Sequence, residues 1–165
     1  MSTPMTDQEL GIFAKTFSRQ SVEANLDAVA QHRLGVVQYN MACAGLSALP
    51  ESIAPERAEH IRLAALERGI RIAAVSGTFN MIHPDLAVRR SGLQRLSVLA
   101  GACGGLGTRT ITLCTGTRDP DDMWRGHPDN HDLAAWRDLL ASMEQAVAIA
   151  EAFDIYLVLP CQIVM

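Results

Sequence analysis

Five short, β-rich apolar runs, each separated from the next by an amphipathic helical stretch, constrain this chain more than any other feature. The runs fall at residues 11–17, 35–40, 70–76, 108–114 and 155–159. Four of them are almost continuously apolar, as in Ile72-Ala73-Ala74-Val75 and Ile155-Tyr156-Leu157-Val158-Leu159, which suits strands covered on both faces. Alternation of strand and helix predicts a parallel sheet, because parallel neighbours need a long crossover between them. The strand starts at 11, 35, 70, 108 and 155 lie 24, 35, 38 and 47 residues apart, a mean of 36. A closed eight-stranded barrel at that pitch needs roughly 290 residues, and such barrels typically take ~250. With 165 residues, the chain is either an open five-stranded sheet or an incomplete (β/α) barrel of about four and a half βα units.

The helices carry their own start and stop signals. The first is expected over residues 21–32, with Val22, Leu26 and Val29 inward. The second has Pro55 in its first turn, Glu56 beside it to suit the dipole, a stripe of Ala58, Ile61 and Ala65, and Gly69 as its stop. The third opens at Pro84-Asp85, places Leu93, Leu96, Ala100 and Cys103 on one face, and is expected to end at the glycines Gly101, Gly104, Gly105 and Gly107. The last follows Asp132 as N-cap and sets Leu133, Trp136, Leu140, Met143, Val147 and Ala150 in one apolar stripe.

Composition excludes several classes of function. Fourteen basic against eighteen acidic residues give a net charge of −4 and a pI near 5.7, so no basic field offers itself to nucleic acid or an anionic membrane. Disorder is excluded by a hydrophobic content of 48%. No apolar run approaches the ~20 residues of a membrane span, and the polar, acidic start of the chain lacks the pattern of a signal peptide. Cys43, Cys103, Cys114 and Cys161 are widely spaced with no C-x-x-C pair, as expected of reduced thiols in a cytoplasmic protein. A single domain over residues 1–165 is the expectation.

In parallel α/β folds ligands bind at the carboxyl ends of the strands, and there the polar residues gather. The third strand is followed by Ser76-Gly77-Thr78-Phe79-Asn80-Met81-Ile82-His83-Pro84-Asp85, the second ends Val36-Val37-Gln38-Tyr39-Asn40-Met41, and the fourth leads into Cys114-Thr115-Gly116-Thr117-Arg118-Asp119, then Met123-Trp124 and His127-Pro128. Together these motifs resemble the sugar phosphate isomerase/epimerase group of the xylose isomerase-like TIM barrels, over nearly the whole chain from about Leu10 to Leu159. The resemblance implies a divalent-metal enzyme, commonly using Mn²⁺ or Mg²⁺, that moves protons on a ketose or aldose. It also implies a metal-ligating glutamate at the end of the fifth strand and further ligands from strands six to eight. Here that strand runs into Pro160 and Cys161 with no glutamate, so the expectation is a barrel truncated after its fifth strand, with no metal ligands of its own and weak or absent activity.

The resemblance places His83 at the barrel mouth as a catalytic, substrate-contacting or proton-relay group; shaping the turn before the Asp85-capped helix is its other reading. Asn40 and Asn80 suit either sugar hydroxyls or turn backbone. Thr115 completes a hydroxyl-rich rim. Arg118 could meet a phosphate or carboxylate, or pair with Asp119, Asp121 or Asp122. His127 and His131 are separated by Pro128 and lack a third ligand, so they read as part of a capping loop. The glycine cluster precedes a strand, the wrong order for a phosphate-cradling loop, and Cys43 and Cys114 read as buried small residues. Two rival functions stand beside the enzyme: a non-catalytic half-barrel that binds a sugar or associates with itself through its exposed edges, and a metal-dependent hydrolase of abasic DNA on the same barrel type, disfavoured by the acidic pI.

Overall fold

The computed structural model describes residues 10–159; Cys161 and the segment after Leu159 lie outside the described residues. Five parallel strands, β1 (Gly11–Phe13), β2 (Val36–Tyr39), β3 (Arg71–Ser76), β4 (Thr110–Thr112) and β5 (Tyr156–Val158), form one sheet in the order of the sequence. Between them run α1 (Val22–Gln31), α2 (Pro55–Leu66), α3 (Leu86–Leu106) and α4 (Leu133–Phe153). Parallel crossovers are right-handed, so strands that follow one another without reversal place every helix on the same side. α1 packs on α2, α2 on α3 and α3 on α4. That geometry settles the choice left open above: the fold is a partial, singly wound (β/α) barrel.

One face of the sheet is therefore core and the other is open. Val37, Tyr39, Ile72, Val75 and Ile111 are buried in the main apolar cluster under the helices. On the opposite face Val36, Ala74 and Ser76 of the central strands are buried, Gln38, Thr110 and Thr112 are half-buried, and Phe13, Tyr156 and Val158 are exposed. The expected double coverage holds for the central strands β2 and β3, where Val36, Ala74 and Ser76 are buried, and fails toward the edges, where Phe13, Tyr156 and Val158 are exposed. Between β2 and β3 the register slips by one residue, with Val37 opposite Ile72 but Gln38 opposite Ala74, a bulge that re-aims the end of β3.

The strands are shorter than the apolar runs. After Phe13 the chain turns into a 3₁₀ helix (Ala14–Thr16), because buried Asn25 donates its amide to the carbonyls of Ala14 and Phe17 at 2.9 and 2.7 Å. Replacing Asn25 with Ala removes both bonds and leaves Phe17 O without this donor, while Ala14 O keeps the Phe17 N–H at 3.1 Å, so a loss of about 2 kcal/mol is expected; chemical denaturation of the variant measures it.

The helices follow their signals, with two corrections. Ser21 and Asp85 cap α1 and α3 by accepting from Ala24 N and Ala87 N, Pro55 occupies the first turn of α2, and Gly69 turns with φ +66°. Asp132 stands at the N-cap of α4 but its side chain makes no capping bond. α3 runs through Gly101, Gly104 and Gly105 to a left-handed Gly107, so three of the expected stop glycines are helical. A Cβ on Gly105 would lie 3.0 Å from Ala58 Cβ, so its absence lets α2 and α3 approach. On α4 the buried residues are Ala135, Ser142, Ala146 and Ala150, small groups that suit close packing. Most of the expected apolar stripe, Leu133, Trp136, Leu140 and Val147, faces solvent. None of the described helices is long and apolar enough to cross a membrane.

Candidate functional site

Polar groups meet on the open face where the strands end. Gln38 on β2 reaches across β3 to donate to Thr112 Oγ1 on β4 at 2.8 Å. Ser76 is register partner to Thr112, and its Oγ lies 3.5 Å from Thr78 Oγ1. These four side chains form a strip of neutral amide and hydroxyl groups at the mouth of the partial barrel. Such a set can donate to and accept from the hydroxyls of a polyol, and it carries no charge to select an ion.

Beside the strip the loops after β2, β3 and β4 enclose a cleft of about 790 Å³ against α3. Asn80, His83 and Asp119 line it with Thr78, Ser91 and Leu49. Asn80 is buried, and its Oδ1 accepts from Ile82 N and Thr117 N at 3.3 and 3.0 Å, while its Nδ2 has no partner. Both nitrogens of His83 are in use. Nδ1 accepts from Asp85 N at 3.0 Å, which leaves the proton on Nε2, 3.1 Å from Pro120 O. The ring thus ties the loop after β3 to the loop after β4.

Asp119 is buried and accepts from Asp121 N and Asp122 N at 2.9 Å, with Arg125 at 3.1 Å. Those backbone donors, then Arg125, hold its carboxyl below the usual carboxylate range. A lowered carboxyl contributes stability that is complete above its unfolded pKa and is lost as pH falls through the folded value. The order of the 119–125 loop is therefore expected to decline below about pH 4, read as faster amide exchange at Asp121 and Asp122, and Asp119→Asn is expected to abolish that pH dependence.

The remaining site residues lie apart. Asn40 is buried beneath the end of β2 and caps the turn at Met41–Ala44 through Ala42 N. Thr115 borders a second hollow of about 650 Å³ with Gly116, Asn130 and Trp136. Arg118 lies between the two, its side chain 11% exposed, bonded to Ile82 O and to Asp138 on α4 at 2.7 Å. The same carboxylate binds Arg89 of α3 at 3.0 Å, and Arg89 donates onward to His83 O. Arg118 has thus found an acid on a distant helix and none of the three nearby aspartates. Burial raises the thiol of Cys43 and pushes that of Cys114 up to about 11, which suits inert packing. His127 caps the 128–131 turn.

Gln38 and Ser76 stand in the polar strand-end motifs of the sequence but were not singled out as site residues, and Thr112 was missed. Their signal was polarity inside otherwise apolar strands, legible only once one sheet face is known to be open.

Comparison with known proteins bears directly on this arrangement. The sequence profile of the xylose isomerase-like TIM barrel family matches residues 14–159. The chain belongs to that family. No curated protein sequence matches it. Among solved structures it is similar to a xylose isomerase domain protein from Planctomyces limnophilus (TM-score 0.64, 15% identity, 92% of this chain and 53% of that one). It is also similar to D-psicose 3-epimerase from Clostridium cellulolyticum H10, determined with D-tagatose (0.65, 16%, 89% and 50%), and to 3-keto-D-glucoside 4-epimerase from E. coli (0.66, 12%, 93% and 56%). At these identities the likeness shows the fold, and the chain spans about half the length of each barrel.

Among the described residues no three His, Cys, Asp or Glu side chains converge to hold a metal. The strand-end strip offers amide and hydroxyl groups only, a donor set that does not fit Mn²⁺ or Mg²⁺, which take carboxylate oxygens and water as their principal ligands.

Proposed function

We propose that this member of the xylose isomerase-like barrels provides the sugar-binding half of an isomerase or epimerase acting on a ketose or aldose, free or phosphorylated. The observation that carries the reading is the Gln38–Thr112 bond beside Ser76 and Thr78 on the open sheet face, at the end of the barrel where family ligands bind. In this reading the hydroxyl and amide groups orient a sugar, and Asn80 and His83 line the neighbouring cleft that shares Thr78 with the strip. His83 takes part through Nε2–H, which a sugar oxygen can capture from Pro120 O. The strip holds no group that would take or return a proton at a sugar carbon, and no cluster of metal-ligating side chains occurs among the described residues.

Weak or absent turnover by the 165-residue chain follows. Incubation with D-fructose or D-psicose and Mn²⁺ in deuterated water is expected to give no more than trace deuterium at the sugar carbons, together with ketose binding that Gln38→Leu weakens about tenfold. Robust Mn²⁺-dependent epimerisation would overturn the expectation of weak turnover; absence of any ketose binding would overturn the sugar reading itself.

A further inference from the structure

The cleft against α3 differs in chemistry from the strip it adjoins. Among the described residues none of its lining comes from β1, β5 or α4, so its walls belong to the second, third and fourth βα units and not to the flank of the partial barrel. Its volume of about 790 Å³ falls within the ~300–1,000 Å³ of small-molecule sites. Leu49, Phe79, Val88, Pro120 and Met123 supply an apolar lining, the first two buried and the others more open to solvent. The Phe79 ring can lie against α3 because position 92 is glycine, where a Cβ would stand 2.2 Å from Phe79 Cδ2. The strip offers hydroxyl and amide groups, whereas the cleft offers apolar surface.

Charge decides against an anionic occupant. The guanidinium of the cleft, Arg95, is already held by Glu51 at 2.5 Å. His83 accepts at Nδ1 and so carries no charge in this arrangement, while Asp119 and Asp121 bring carboxylates to the lining. A phosphate would have to take Arg95 from its partner and lie beside two acids. One neutral donor, by contrast, is unused. Asn80 lines the cleft, its Oδ1 serves Ile82 N and Thr117 N, neither of which lines it, and its buried Nδ2 has no partner. An ether or hydroxyl oxygen satisfies such a donor.

We propose that the cleft receives an uncharged apolar substituent of the sugar held at the strip, so that the substrate is a hydrophobic glycoside or ether of a ketose or aldose and not a sugar phosphate. Thr78, common to the strip and the cleft, marks the junction. The inference rests on the sugar reading above and narrows its substrate.

NMR titration of the 165-residue chain with D-fructose, D-fructose 6-phosphate and the benzyl ethers of D-fructose at O1 and at O6 tests it. At least one benzyl ether is expected to bind ~10-fold or more tighter than D-fructose, the gain from burying one phenyl ring, and the phosphate no tighter than D-fructose. The tighter ether is expected to shift the amides of Phe79, Val88 and Ser91 together with those of Gln38 and Thr112. Val88→Asp, at a 43% exposed position in the first turn of α3, is expected to remove the gain and to leave the affinity for D-fructose unchanged. Ala87→Trp, which fills the cleft from the same turn, is expected to do the same. Binding of D-fructose with no gain from either benzyl group overturns the inference alone, as do tighter binding of D-fructose 6-phosphate, a gain indifferent to both substitutions, or shifts in the cleft without shifts at the strip. Absence of binding by every one of these ligands overturns the sugar reading, and the inference with it.

Discussion

Asp138→Ala is expected to destabilise the protein by about 3 kcal/mol. The carboxylate is the shared partner of Arg89 and Arg118, whose side chains are only 10 and 11% exposed. Removing it leaves two largely desolvated guanidinium groups with backbone carbonyls as their remaining acceptors, Ile82 O for Arg118 and His83 O for Arg89. Breaking a buried pair by deleting one partner typically costs ~3–5 kcal/mol; Asp138 itself is 30% exposed, which places the expectation at the lower end. The melting temperature should fall by roughly 6–12 °C for a chain of this size. Replacing all three residues by apolar ones of similar volume should recover much of the loss, because the desolvation cost disappears with the charges. A change below about 0.5 kcal/mol would mean that water already solvates the cluster.

Gly116→Ala is the second large effect. Gly116 sits at φ +82°, and a Cβ there would lie 2.2 Å from Asn80 Oδ1 and 2.8 Å from Asn80 Cα. The backbone conformation costs an L-residue roughly 1–2 kcal/mol, and the overlap about as much again. The atom displaced is the acceptor for both Ile82 N and Thr117 N, so the loops after β3 and β4 should loosen together. An expected loss of about 3 kcal/mol by denaturation, with faster amide exchange at Ile82 and Thr117, distinguishes this from a generic loop effect. Gly126→Ala is the control, since a Cβ there meets nothing within 4 Å, and its effect should stay within ~0.5 kcal/mol.

Much of the fold was legible because parallel βα units repeat. Strand positions, the caps at Ser21 and Asp85, the inward faces of α1, α2 and α3, and the family itself all follow from local pattern. α4 misled because its longest apolar side chains occupy the outer face, while alanines and Ser142, whose hydroxyl binds Met81 O at 2.8 Å, face the core. Hydrophobicity marks what must leave water; it does not say which neighbour removes it. The glycines of α3 misled for a related reason, since close helix approach and helix termination both select glycine.

The candidate site was less legible. Asn40, Asn80, His83 and Arg118 were visible as polar residues after strand ends, yet the bonds that engage them come from distant elements: Thr117 to Asn80, Pro120 to His83, Asp138 to Arg118. No spacing rule announces a contact across 20 or 37 positions. Gln38 and Thr112, 74 positions apart, were hidden inside strands until the open face was known.

Amide and side-chain NMR shifts during titration with a ketohexose test the central claim, that the strand-end strip is the sugar-facing surface. With D-fructose raised to roughly 100 mM, about a hundredfold above a millimolar Kd, the expected shifts are at the Gln38 side-chain amide and the backbone amides of Ser76, Thr78 and Thr112. Shifts confined to the cleft against α3, at Asn80, Ser91 and Arg95, or no shifts at all, would contradict it.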